Sequence, residues 1–289
     1  LPQSPQTFKQ LLMVSGYDRY FQIVKCFRDE DLRSDRQPEF TQIDCEMAFV
    51  NQQEVLETFE GLIKFLFKKI LNIKFQDPFP IISYGEAIEK YGSDKPDVRF
   101  EMELTYLDEL AKGKGFKVFD ESESVVAINI PACAEYSRKK LDELSDWVKR
   151  PQIGAKGLVY LKYNLDQTFK SSVDKFYDSR SLIKWVNKCN SKPGDLILIL
   201  SGKKSSVQTQ MNELRLLMGS RLGLRDSKIF KPVWVVDFPL LEKDETTNSF
   251  HAMHHPFTSP NKSDLEMLET NPEKVLSLIH ISEPTRLHT

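Results

Sequence analysis

The sequence predicts an α+β fold in which an antiparallel sheet is flanked by helices and a second α+β domain is inserted into the chain. Two strand-like runs enclose a charged loop between residues 20 and 50, and helical runs flank them. Short strands alternate with helices from about residue 99 to 228. We therefore interpret residues 99–228 as an α+β domain of its own.

The composition is that of an ordinary globular chain of 289 residues, with 40% hydrophobic and 28% charged residues. Its formal charge of -2 means that local basic patches, and not the field of the whole protein, would have to hold a nucleic acid. No apolar run approaches the roughly 20 residues that cross a bilayer. We expect a cytoplasmic location and no membrane partner. The cysteines, Cys26, Cys45, Cys133 and Cys189, lack metal-ligand spacing and are interpreted as reduced core residues.

The first helix is predicted from its ends. Ser4 is a favourable N-cap, Pro5 suits the first helical position, and Gly16 ends the periodic apolar run. Gln6 and Lys9 are three residues apart and therefore share one face of this helix.

Two predicted strands, residues 20–28 and 39–50, enclose the charged loop and are expected to pair antiparallel. Because strand side chains alternate between faces, Phe40, Gln42 and Asp44 project together from the second strand. An aromatic ring, an amide and a carboxylate then line one surface. The alternative is a solvated sheet face with one stray aromatic residue, and the pattern alone does not decide between the two.

Two later helices are predicted from their caps. Asn51 and Glu54 resemble a capping box that opens a long helix, and Ser83 with Glu86 opens a shorter helix that Gly92 closes.

The inserted domain is expected to contain strands at residues 116–119, 125–130, 157–163 and 196–200, and helices at residues 134–149, 181–187 and 207–222. A further strand at residues 233–238 precedes a predicted loop, residues 242–256, that carries three histidines.

Four segments match the motifs of one known family. They are LPQSPQTFK (1–9), VKCFRDEDLRSDRQPEFTQID (24–44), YGSDKPD (91–97) and HHPFTSP (254–260). In order and content these segments resemble bacterial-type aspartyl-tRNA synthetases, and the second is similar to motif 2 of class II aminoacyl-tRNA synthetases. The resemblance covers roughly residues 1–278 and implies a class II synthetase-like antiparallel sheet. It divides the chain into a first core part (1–98), an inserted domain (99–228), a second core part (229–278) and a tail (279–289).

The resemblance implies ATP-binding roles around the predicted loop. Arg28 would be the catalytic residue, holding the ATP α-phosphate and the reacting carboxylate as a planar bidentate cation can. Glu30 would accept a hydrogen bond from the adenine amino group, and Phe40 would stack on the adenine ring. Asp29 and Gln37 would lie with them at the nucleotide. ATP and Mg²⁺ are the implied cofactors.

The resemblance also implies an aspartate-binding set made of Gln6, Lys9, Arg28, Gln42, Asp44, His254 and His255. Lys9 would pair with the β-carboxylate of L-aspartate, and Asp44 with its α-ammonium. His254 and His255 would lie in the segment that closes over the substrate. The alternative is that one of these two histidines is a structural loop residue.

The implied reaction is an aspartate-tRNA ligase reaction in two steps: L-aspartate and ATP give aspartyl-adenylate, and the aspartyl group then passes to tRNA-Asp. Positioning and charge stabilisation supply most of the effect in such transfers, so no nucleophilic triad is required. The partners implied are tRNA-Asp, L-aspartate, ATP and, in the full-length parent, a second identical subunit.

The inserted domain resembles a domain that bacterial aspartyl-tRNA synthetases share with a tRNA-dependent amidotransferase subunit. The similarity is carried by FKVF (116–119), SRK (137–139), GAKGL (154–158) and GDLI (194–197). It implies no catalytic role.

Parts of the family pattern have no counterpart here: the anticodon-binding barrel, motif 1, and motif 3 with its glycine-rich strand. Residues 279–289 match nothing in the family. We therefore expect a fragment that is inactive alone and that exposes apolar sheet surface. Two alternatives remain open: a catalytically dead module that binds tRNA or nucleotide, and an amidotransferase-like accessory protein. Motif 2 and the histidine segment speak against the second.

Overall fold

The computed structural model describes residues 2–29, 37–75, 78–244, 247–254 and 258–278. These residues form two compact units, one ending at Phe79 and the other beginning at Pro80. Three predicted features, Glu30, His255 and the tail 279–289, lie outside the described residues. The chain has the α+β class that the sequence predicts.

The first unit is built around an antiparallel hairpin. Its strands, β1 (Arg19–Phe27) and β2 (Glu39–Met47), pair in a register that places Gln22 opposite Asp44. Each even-numbered residue of β1 therefore faces an even-numbered residue of β2, and all of them share one side of the hairpin. The predicted pairing and the predicted common face of Phe40, Gln42 and Asp44 are confirmed.

The two helices of this unit precede and follow the hairpin. Helix α1 (Gln6–Val14) has Pro5 at its cap position without a side-chain cap, so the prediction that Ser4 caps it is wrong. The cap position falls one residue later than predicted, which leaves the Ser4 hydroxyl a residue away from it. Helix α2 (Gln52–Leu66) opens with the predicted capping box and continues into one π-helical turn (Phe67–Leu71).

The second unit contains a five-stranded antiparallel sheet in the order β4-β5-β8-β6-β7. Its strands are β4 (Thr105–Tyr106), β5 (Ser124–Ile130), β6 (Val159–Tyr163), β7 (Phe169–Ser171) and β8 (Leu196–Gly202). The central strands β5 and β8 are apolar on both faces, which is typical of strands covered on both sides.

Helices cover both faces of this sheet. They are α4 (Asp108–Ala111), α5 (Lys117–Asp120), α6 (Arg138–Val148), α7 (Ser179–Lys188) and α8 (Lys204–Arg221). Val126 and Ile128 of β5 pack with α6 and α8, whereas Val125 and Ala127 pack with α4, α5 and α7. The alternation of strand side chains therefore builds two separate cores, one on each face.

One predicted strand is a helical turn. Residues 116–119 form α5 with its cap, because this turn brings the rings of Phe116 and Phe119 to 4.8 Å from each other. The Asp120 carboxylate accepts hydrogen bonds from the backbone N–H groups of Gly113 and Gly115, which stabilises the same turn. The contacts of the folded core override the strand propensity of these residues.

Two short strands outside the five-stranded sheet pair in parallel, β3 (Ile81–Ser83) with β9 (Trp234–Val236). This pairing brings together the chain on either side of the predicted inserted domain, although the boundaries at 98/99 and 228/229 stay a prediction. Helix α3 (Tyr84–Tyr91) follows β3, capped by Ser83 and closed by Gly92, as predicted. Gly92 has φ +70°, and a Cβ there would collide with the backbone of α8 at Gln208.

The predicted loop 242–256 contains part of a small hairpin, β10 (Leu241–Lys243) with β11 (Phe250–Ala252). The last described elements are α9 (Met267–Thr270) and two 3₁₀ turns (Lys262–Asp264 and Pro272–Lys274). In the described part of the chain, no helix has the length and apolar character of a membrane span.

A buried arginine joins α8 to the chain that leads into the sheet. Arg215 is fully buried, and its Nε and Nη2 donate to the carbonyl oxygens of Asp97, Phe100, Glu101 and Met102 at 2.8–3.1 Å. Its guanidinium also lies 4.1 Å from the Phe100 ring centroid. Burial lowers the pKa of Arg215 to about 10, so the side chain keeps its charge at neutral pH.

We predict that Arg215→Met destabilises the second unit by about 3–5 kcal/mol, because it leaves several buried carbonyl groups without a donor. Arg221→Met, at an exposed position of the same helix, is the matched control and should cost less than about 0.5 kcal/mol. The three tryptophans lie in this unit, so their fluorescence during urea unfolding measures the unfolding midpoint of the unit. Equal midpoints for the two variants would contradict the assignment.

Candidate active site

The first helix lies over the even-numbered face of the hairpin. Lys9 Nζ of α1 lies 3.0 Å from Asp44 Oδ1 and 3.3 Å from Glu46 Oε2, both on β2. The side chains of Lys9 and Asp44 are only 13% and 7% exposed, so this ion pair is largely removed from water. Burial lowers the pKa of Lys9, but the hydrogen bonds and charges of the two carboxylates outweigh it and raise the pKa overall.

Asp44 has unused hydrogen-bonding capacity. Its Oδ2 is buried and accepts no hydrogen bond from any of the residues that the structure describes. A buried carboxylate oxygen without a donor is costly, and such atoms in a polar cleft are frequently completed by a ligand. The position is therefore suited to a cationic donor that approaches the face beside Lys9.

The same face continues toward the loop end of the hairpin. Gln42 accepts a hydrogen bond from the thiol of buried Cys26 at 3.4 Å, which holds the amide in place. The backbone N–H of Arg28 donates to the Pro38 carbonyl at 2.8 Å and so extends the pairing one residue beyond β1. The Arg28 guanidinium carbon lies 5.1 Å from the centroid of the Phe40 ring.

The structure therefore brings together Lys9, Arg28, Phe40, Gln42 and Asp44 on one face of a single unit. Among the remaining candidate residues, Gln6, Asp29 and Gln37 are exposed, and Glu30 lies outside the described residues. Their ATP-binding and aspartate-binding roles stay predictions.

His254 belongs to the second unit. Its ring packs edge-on against Phe238, with the centroids 5.2 Å apart, and its Nε2 is buried without a hydrogen-bond partner among the described residues. Burial lowers the pKa of His254, and the charge of Asp94 partly opposes this effect. The aspartate-binding role of His254 stays a prediction, and His255 lies outside the described residues.

Two neighbours of the candidate residues were not predicted. One is Glu46, the second carboxylate at Lys9. Because side chains alternate between the faces of a strand, the position of Glu46 two residues after Asp44 could have indicated that both lie on the same face. Asp94 influences both His254 and Tyr84. It lies in the segment YGSDKPD, where the sequence pattern suggested no individual role.

Among the described residues, no group of three or more histidine, cysteine, aspartate or glutamate side chains could hold a metal ion.

Comparison with known proteins identifies the class. The model of the family described as tRNA synthetases class II (D, K and N) matches residues 1–279, and the chain belongs to this family.

The relatives are more specific. The chain is 60% identical over 275 residues to a protein of Azobacteroides pseudotrichonymphae named aspartate–tRNA ligase, 58% identical over 275 residues to that of Flavobacterium psychrophilum, and 57% identical over 276 residues to that of Porphyromonas gingivalis. Each match covers 95% of this chain and 47% of the relative. The chain thus spans about half the length of the curated relatives it matches.

We predict that the His254 ring stays neutral below the ordinary histidine value of 6.5, because its folded-state pKa is depressed by burial. Any contribution of the neutral His254 ring to the free energy of unfolding is therefore present above pH 6.5 and is lost as the pH falls through the folded-state pKa. Histidine NMR titration of the folded chain checks this, and a His254 pKa at or above the ordinary value of 6.5 would contradict it.

Proposed function

We propose that this chain supplies the amino-acid pocket and part of the ATP pocket of an aspartate-tRNA ligase, which activates L-aspartate with ATP and transfers it to tRNA-Asp. The observation that carries the proposal is the Lys9–Asp44 pair on the covered face of the hairpin. The names of the relatives support the same assignment.

The two charges at this face suit the two ends of aspartate. Lys9 offers a cation for the β-carboxylate, and Asp44, whose Oδ2 accepts no hydrogen bond from the described part of the chain, offers an anion for the α-ammonium. The α-ammonium of asparagine would take Asp44 from Lys9 without supplying a β-carboxylate, which would leave Glu46 as the one carboxylate at Lys9 among the described residues. Such a loss of counter-charge is costly where solvent is excluded. The pocket is therefore expected to prefer aspartate by charge and not by size.

The loop end of the hairpin suits a nucleotide. Arg28 is an exposed guanidinium that can bind a phosphate and a carboxylate oxygen together, and Phe40 beside it provides a ring on which a base can stack. We propose that Asp29, Glu30 and Gln37 complete this region at the nucleotide. These groups bind and orient; they exchange no covalent bond with the substrates.

The chemistry requires little more than alignment at this face. The α-carboxylate of aspartate attacks the α-phosphorus of ATP, and pyrophosphate leaves. Arg28 would hold the two reacting groups together and neutralise charge that develops between them. Mg²⁺, when bound by the longer protein, would neutralise phosphate charge, and no step is assigned to it here.

The remaining assignments are proposals of the same kind. Gln6, Gln42, His254 and His255 would contact the amino acid. We propose residues 99–228 as an inserted domain without a catalytic part. The longer protein would act in the cytoplasm as a homodimer with tRNA-Asp as its partner.

We predict that Lys9→Met lowers kcat/KM for aspartate activation by about a hundredfold or more, because a buried charge contact to the substrate is lost. The assay is aspartate-dependent ATP–pyrophosphate exchange in a chimera in which residues 1–278 replace the matching segment of the Flavobacterium psychrophilum relative. Lys25→Met is the matched control, since Lys25 is exposed on the opposite face of the hairpin and pairs with Glu39.

The outcomes separate the alternatives. Loss in Lys9→Met with retention in Lys25→Met supports the assigned pocket. Equal exchange by Lys9→Met and the parent chimera would refute the role of Lys9. A chimera that binds ATP but shows no exchange before any substitution would favour a catalytically dead binding module.

A further inference from the structure

The second unit has a cleft that the proposed function does not use. It encloses about 440 Å³ between one face of α6 and the β6–β7 hairpin. Helix α6 contributes Arg138, Leu141, Asp142 and Ser145, which recur at helical spacing. None of the lining residues belongs to the candidate active site.

Two lysines face each other across the strand pair at this cleft. Lys162 of β6 lies directly opposite Lys170 of β7, and like charges in this arrangement destabilise a sheet. Among the described residues, neither ammonium has a carboxylate within ion-pair distance. The Lys162 Nζ donates instead to the Tyr136 carbonyl at 2.6 Å.

The charge of the cleft is therefore positive. Arg138 on α6 is the third cation, and the one acidic side chain of the lining, Asp142, lies 3.8 Å from it. Burial lowers the pKa of Lys162 and the charge of Lys170 lowers it further, against a weaker opposite effect of Glu135. In the described part of the chain, the two lysines thus have no carboxylate at ion-pair distance, and Glu135 opposes the effect of Lys170 only weakly.

We propose that this cleft binds the phosphate group of a ribonucleotide, either as a free nucleotide or within an RNA strand. Lys162, Lys170 and Arg138 approach from three elements and suit an anion with several oxygen atoms. The hydroxyl groups of Ser145 and Ser172 border the cleft as further donors.

The volume and the apolar lining of the cleft favour a phosphate that carries an organic group. The volume of about 440 Å³ exceeds what a bare phosphate fills, and it lies within the usual range of small-molecule sites. Leu141, Leu158 and Tyr160 give the cleft apolar surface beside the cations. A ribose or a base can contact these side chains while its phosphate pairs with the lysines.

The test uses the 289-residue chain and three probes: inorganic phosphate, uridine monophosphate and a short oligouridylate. Uridine probes avoid a site that would recognise adenine. We expect Lys170→Glu to weaken binding of whichever probe binds by at least about tenfold, since it replaces a charge-assisted contact with repulsion. Lys170 is exposed, so this variant should fold. The matched control is Lys184→Glu on α7, whose helix packs on the opposite face of the sheet.

The three probes distinguish a nucleotide site from an RNA site and from the absence of either. Binding of uridine monophosphate, sensitive to Lys170→Glu alone, establishes a nucleotide site, and displacement of the oligouridylate by the nucleotide shows that RNA uses the same cleft. Binding of the oligouridylate alone, with the same sensitivity, identifies RNA as the source of the phosphate. Absence of binding by all three probes, binding of inorganic phosphate alone, or equal weakening by both variants would overturn the proposal. The chimera of the preceding section tests aspartate activation separately, so the two can fail independently.

Discussion

The candidate site depends on one buried ion pair, Lys9 with Asp44, which ties the first helix to the second strand of the hairpin. Neither charge could be buried alone without a large cost, so each position constrains the other. The proposed substrate would have to enter beside a lysine that already has carboxylate partners, because Lys9 Nζ lies 3.0 Å from Asp44 Oδ1 and 3.3 Å from Glu46 Oε2. We propose that aspartate replaces both partners at once, since it carries an ammonium for Asp44 and a carboxylate for Lys9. Selectivity would then come from the exchange of the Lys9–Asp44 pair for two ion pairs with the substrate.

The hairpin can hold the Lys9–Asp44 pair on one side because its two faces differ. The even-numbered face is polar and partly covered by α1, whereas Phe21, Ile23 and Ile43 of the opposite face are largely exposed among the described residues. A one-residue slip in register would reverse these faces and remove Asp44 from Lys9. The second unit is stabilised in a different way. Its five-stranded sheet carries a hydrophobic core on each face, and the buried Arg215 joins α8 to the chain that leads into the sheet. Its stability is therefore built separately from the candidate active site.

Local rules predicted much of this structure. The alternation of strand side chains placed Phe40, Gln42 and Asp44 on one face, and caps located α2 and α3. The errors came where tertiary contacts override local preference. Residues 116–119 have strand-like composition but form a turn that packs two phenylalanine rings together. The strands β4 and β7, of two and three residues, were missed because so few residues show no period. Asp94 was missed as a neighbour of His254 because only the fold relates positions so far apart.

The most direct test of the central claim is a crystal structure of the chimera with bound L-aspartate. We expect Lys9 Nζ to leave Asp44 Oδ1 for the β-carboxylate of the ligand, and the ligand ammonium to lie within hydrogen-bond distance of the Asp44 carboxylate. An intact Lys9–Asp44 pair at its present 3.0 Å, with aspartate bound elsewhere, would contradict it.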